Sequence, residues 1–177
     1  MRLAFHDSSA VLAASANGAG YDELIGAMQA VFGCGCASRY VHVELVISDS
    51  DSDDKHAVTW SSVPKLGVRQ TVIDITRAPW VVVPLPVLST AHTALVMAAI
   101  QKMKGQAYDW WGILGFGLIW HPHANADKFC SEFVYVALQA AGMFPGVKAW
   151  RQMPADLYNM VTAPGWMAGI WNWERAA

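Results

Sequence analysis

At 177 residues the chain has the length of one ordinary domain, enough to bury a core without disulfides or metal. A formal net charge of −2, a pI near 6.3 and scattered lysines and arginines leave no basic stripe, which excludes electrostatic recognition of nucleic acid. The composition is 54% hydrophobic and 15% charged, with 9 tryptophans and a mean hydropathy of +0.26, greasier than an average soluble domain, so apolar surface is expected to meet a substrate, a lipid or a second copy of the chain as a homo-oligomer.

Residues 2–5 read as a short first strand. His6-Asp7 and Asn17-Gly18 then interrupt what would be the apolar core of a signal peptide, so a cytoplasmic protein is expected. Beyond a loop of small residues, Tyr21-Asp22 opens a pattern in which Leu24, Ile25, Met28, Val31 and Phe32 recur at helical spacing, and Gly33 ends it. Cys34-Gly35-Cys36 is spaced too tightly for a mutual bridge and lacks the further ligands a zinc tetrahedron needs, so no metal or other cofactor is expected.

Residues 40–48 are rich in β-branched side chains and predict a strand, 49–55 an acidic, serine-rich turn, and 57–63 the returning strand. In 67–75, Val68, Gln70, Val72 and Asp74 alternate with Arg69, Thr71, Ile73 and Ile75, which predicts another strand, followed by a further one over 80–85. Ser89 is a good N-cap for a helix over 91–104, with Gly105 just past its end. An aromatic segment follows over 108–120. Neither this run, broken by glycines, nor 80–88, broken by Pro84 and Pro86, reaches the roughly 18 to 20 apolar residues of a transmembrane helix.

The last clear pattern is a helix that carries Cys130, with Asp127 or Asn125 as its expected cap and Gly142 as its end. Phe129, Phe133, Val136 and Ala140 share one face of it; Cys130, Val134, Ala137 and Ala141 lie about 100° round. No repeat or low-complexity linker divides the chain. The expectation is a single α+β domain over 1–177, with an antiparallel sheet packed against helices and a nucleophile near a helix N-terminus.

A thiol attacks carbonyls as the thiolate, and a helix N-terminus with a nearby imidazole lowers a cysteine pKa. Cys130 fits that description, and its own backbone N–H is an oxyanion donor; the competing reading is an inert buried cysteine. Of the six histidines, His42 is the one within a clear strand, flanked by apolar residues. A hairpin turn centred on Asp51-Ser52 would set Ser61 opposite His42, while Glu44 shares the strand face of His42 and Ser62 is reached if the register slips. Any of these could orient the imidazole. Arg69 and Glu132 are expected to pair as a structural salt bridge, and Trp110 and Trp111 to line a substrate groove, a dimer contact or the core.

Arg2-Leu3-Ala4-Phe5, Tyr40-Val41-His42-Val43-Glu44-Leu45-Val46, Trp60-Ser61-Ser62, Gly67-Val68-Arg69, Gly105-Gln106-Ala107-Tyr108-Asp109 and Phe129-Cys130-Ser131-Glu132, in that order, resemble the circularly permuted NlpC-like cysteine peptidases. These are papain-like proteins of the YiiX type, including versions found in phages and prophages. The similarity covers nearly the whole chain, and histidine before cysteine is the permuted order. The resemblance implies a permuted papain-like α+β fold, Cys130 as nucleophile, His42 as base, a third polar group in the Ser61 region and Tyr108 as a site-wall or oxyanion residue. It implies an amidohydrolase acting on peptides of the bacterial cell wall, in a cytoplasmic or phage-associated setting. Permuted relatives also act on lipid amides and acyl esters, for which the apolar 110–120 segment would suit an acyl chain; a catalytically silent binding or structural module is the reading from outside enzymology.

Overall fold

Five runs of alternating or β-branched residues pair into one antiparallel sheet in the computed structural model, which describes residues 1–7, 39–47, 54–109 and 127–166. The strands are β1 (Arg2–Asp7), β2 (Tyr40–Val46), β3 (Ala57–Val63), β4 (Gly67–Ile73) and β5 (Trp80–Pro84), in the spatial order β4-β3-β2-β1-β5. Three α-helices are described: α1 (Thr90–Met103), α2 (Cys130–Gln139) and α3 (Pro154–Thr162). The α+β class with an antiparallel sheet and helices is therefore present. No helix among the described residues is long and apolar enough to cross a membrane. The helix expected before Gly33, Cys34 and Cys36, and Trp110 and Trp111, all lie outside the described residues.

Side-chain alternation sorts the sheet into two faces. Leu3 and Phe5 of β1, Val43 and Leu45 of β2 and Trp60 of β3 join Val96 and Ile100 of α1, Phe133, Val134 and Leu138 of α2 and Leu157 of α3 in the main core. A smaller cluster of Ala4, Val46, Ala57 and Ile75 forms on the other side. Burying each large aliphatic side chain contributes about 1.5–3 kcal/mol, so the helix-bearing face dominates stability.

Ser89 caps α1 as its sequence predicts, accepting from His92 N at 3.2 Å. The cap of α2 differs from expectation. Phe129 occupies the N-cap position and has no side-chain acceptor to offer, so neither Asp127 nor any other polar side chain at that position fills the role and Cys130 is the first helical residue. Gly142, at φ +80°, takes the left-handed turn that ends the helix, with Met143 N bonding back to Leu138 O at 3.2 Å.

Two departures concern the sheet. β1 continues past Phe5 to Asp7, so His6 lies on a strand rather than in a loop and sits directly across from His42. β2 and β3 pair through Leu45↔Trp60 and Val46↔Thr59, two residues further along than a turn at Asp51-Ser52 requires, because a 3-10 turn (Asp54–His56) brings the return strand in late. Strand pairing between β2 and β3 stops there, although β3 stays paired with β4 as far as Val63↔Gly67. The first half of β2 thus parts from β3, and α2 packs against both strands.

Candidate active site

Cys130 reaches its place because the chain leading into α2 is clamped at Lys128. Ser62 of β3 donates its hydroxyl to Lys128 O, Asp109 N donates to the same oxygen at 3.4 Å, and Lys128 N donates to Ala107 O at 3.1 Å. The 105–109 segment is itself fastened to β4, with Val68 N on Gln106 O at 2.9 Å and Gly105 N on Val68 O at 2.9 Å. This approach passes over Gly67 at φ +66°, where a Cβ would collide with the Gln106 carbonyl oxygen. On the far side Ser131 Oγ donates to Gln152 O at 2.7 Å. The residues on either side of Cys130 are therefore tied to three different parts of the fold.

His42 lies at the part of β2 that has left β3, with its side chain 15% exposed, between two partners. Its Nε2 donates to Glu44 Oε1 at 3.0 Å, and the Cys130 thiol lies close enough to act on the ring electrostatically. Burial by itself acts most strongly on the His42 pKa and would lower it. The charge and hydrogen bond of Cys130, then the hydrogen bond and charge of Glu44, together outweigh burial and push the imidazole up to about 10. The ring is an imidazolium at neutral pH, the partner that favours a thiolate.

Glu44 is the side chain that holds the His42 ring. It is 1% exposed, a position where a carboxylate would ordinarily be driven neutral. Burial does push its pKa upward, but the His42 hydrogen bond and charge, the Arg69 charge and the Thr59 hydrogen bond outweigh that and hold it below the usual carboxylate range. Thr59 Oγ1 donates to Oε2 at 3.0 Å and Arg69 Nη2 to Oε1 at 3.3 Å, so the carboxylate receives three donors. Same-strand neighbours on one face stand about 7 Å apart, a span that the glutamate side chain closes toward the ring.

Ser61 has a different job from the one the hairpin geometry suggested. Its hydroxyl donates to Val43 O at 2.7 Å, bridging the strands where backbone pairing has ceased, and the imidazole is held by the carboxylate instead. The expected Arg69–Glu132 salt bridge is also replaced: Arg69 pairs with Glu44, and Glu132 of the first turn of α2 with Lys128, which lies just before the helix, at 3.3 Å. Glu132 also accepts from the Phe129 backbone, which secures the start of α2; burial pushes its carboxyl up to about 7 against the opposing charge and hydrogen bond of Lys128. Tyr108 is buried in the segment that clamps Lys128, two residues before Cys130.

Thr59 and Arg69 went unassigned to the site in the sequence, yet a signal existed. The three-residue connection between β3 and β4 dictates the pairing Ser61↔Arg69 and so puts Arg69 on the sheet face of Ser61. Among the described residues no group of three or more His, Cys, Asp or Glu side chains is placed to hold a metal ion. Comparison with protein-family models, with curated proteins and with solved structures returned no match to this chain. Its chemistry is accordingly read from the arrangement of Cys130, His42 and Glu44.

Proposed function

We propose that the protein is a thiol hydrolase that cleaves an amide, with Cys130 as nucleophile, His42 as base and acid, and Glu44 as the group that orients the imidazole. The observation that carries this reading is the imidazole of His42 held between a buried carboxylate and a sulfur at the first residue of a helix. In the first half-reaction the Cys130 sulfur bonds to the carbonyl carbon. The imidazolium gives its proton to the departing amine as the C–N bond breaks, leaving a thioester. In the second, His42 takes a proton from water, the hydroxide oxygen bonds to the acyl carbon, and the C–S bond breaks to release the acid and the thiolate beside the imidazolium. The N–H groups of the first turn of α2, which the phenyl side chain of Phe129 cannot accept from, suit the oxyanion.

The resemblance to circularly permuted NlpC-like peptidases supplies the substrate class: a peptide bond of the bacterial cell-wall stem, on a permuted papain-like fold. Cys130→Ala tests it. Hydrolysis of labelled muropeptides should fall by on the order of 10³-fold or more while the circular dichroism spectrum is retained, and unchanged turnover refutes the assignment. Labelled phospholipid run in parallel separates amide cleavage from acyl transfer. A Cys130 that reacts with iodoacetamide at pH 6 no faster than an ordinary thiol points instead to a silent binding or structural module.

A further inference from the structure

Most of the charge in this site sits on four side chains from three elements. Cys130 opens α2, His42 and Glu44 stand on β2, and Arg69 reaches across β3 from β4, two strands away in the sheet. Arg69 is an unexpected expense for a fold. It is mostly covered, one of its nitrogens is spent on Glu44 at 3.3 Å, and Nη1 is buried with no hydrogen-bond partner among the described residues. A cation turned inward in this way is costly unless its charge is used.

We propose that Arg69 is the positioning residue that sets the charge balance of the site, making the thiolate–imidazolium state the electrically neutral one and thereby favouring ionisation of Cys130. The inference rests on the hydrolase reading above and extends it to the control of the nucleophile. With Arg69 present, a thiolate, an imidazolium, the Glu44 carboxylate and the guanidinium sum to no net charge, whereas a neutral thiol leaves the cluster one positive charge in excess. Without the guanidinium the order reverses: the thiol state is neutral, and the thiolate leaves an uncompensated negative charge in a buried place. Thr59, the remaining donor to Glu44, is uncharged and cannot substitute. After the hydrogen bond and charge of His42 itself, the same cation adds to what keeps Glu44 ionised.

Other titratable and charged groups surround the cluster: His6 across from His42 on β1, the Arg39–Asp7 pair at the end of the same strand, and Lys128, Glu132 and Asp109 around the start of α2. All of them are common to wild type and to a variant at position 69, so a difference between the two reports the guanidinium.

The test is the pH dependence of iodoacetamide alkylation at Cys130, followed by mass spectrometry of its peptide so that Cys34 and Cys36 do not contribute. Arg69→Met should move the apparent pKa of alkylation upward by about one unit, a roughly tenfold slower reaction below that pKa, and Arg69→Lys should restore most of the wild-type profile. Because Arg69→Met leaves Glu44 buried with one donor fewer and could unfold the protein, Glu44→Gln/Arg69→Met is made beside it. Removing both opposite charges should bring the profile back more than half-way to wild type. A merely structural arginine predicts the opposite: lowered thermal stability, an unmoved profile in Arg69→Met, and no recovery in the double variant. Either an unmoved profile or an unrecovered double variant overturns the proposal alone, provided the wild-type thiol is more reactive than Cys34 and Cys36 at pH 6. A wild-type Cys130 no more reactive than these overturns the hydrolase reading as well.

Discussion

Replacing Glu44 by glutamine isolates one charge with little change in shape. Oε1 receives both His42 and Arg69, and among the described residues Oε2 receives Thr59. A glutamine can therefore keep its carbonyl toward the imidazole and the guanidinium and donate its amide to Thr59, whose hydroxyl turns round to accept. At 3.0 Å and an effective dielectric of 20, the gross attraction between carboxylate and imidazolium is about 5.5 kcal/mol, which sets a ceiling. Desolvation of both groups offsets most of it, and the difference between a hydrogen bond to a charged and to a neutral acceptor is about 1–2 kcal/mol. At 1.36 kcal/mol per pH unit, the His42 pKa should fall by about one unit from its raised value. On the proposed mechanism, in which His42 protonates the departing amine, the alkaline limb of the pH–rate profile should move down by the same amount. The assay is an NMR titration of the His42 ring in both proteins, with the pH–rate profile beside it. A His42 that titrates within about 0.3 unit of wild type in Glu44→Gln refutes the carboxylate's electrostatic role.

Gly67→Ala forces a side chain into the left-handed region and against the Gln106 carbonyl, so it should cost about 2 kcal/mol or more and lower the Tm by about 4–8 °C in calorimetry; an unchanged Tm would show that the 105–109 approach is less constrained than its hydrogen bonds suggest. Ser62→Ala leaves Lys128 O with the longer Asp109 bond, and chemical denaturation should show a loss of about 1–2 kcal/mol. Glu132 is held above its ordinary 4.5, at about 7, so the native state binds its proton more tightly than the unfolded chain does. Its contribution to stability is full below pH 4.5 and is lost as the pH rises through 7, and Glu132→Gln should flatten that part of the stability–pH curve; an unaltered slope would place the titration elsewhere.

The strands and the helix that carry the site were legible in the residues themselves, because period-2 alternation over 67–75 and the apolar stripe of 130–141 are local signals that burial reinforces. His42 and Cys130 could also be picked out by residue type and setting, one polar group in an apolar strand and one thiol at a helix start. Their meeting could not. It depends on β2 and β3 parting after Leu45↔Trp60 and on Lys128 being clamped from β3 and from the 105–109 segment, contacts made between residues far apart in the chain. The choice between Ser61 and Glu44 fell to the same cause. A shift of one residue in the centre of a turn moves strand pairing by two, which spacing alone leaves open, whereas a buried carboxylate with a guanidinium and a hydroxyl already converging on it has one low-energy use for the imidazole beside it. Local periodicity thus specified the parts, and their assembly into a charge-balanced cluster was decided by long-range packing, where desolvation tolerates buried charges only as partners.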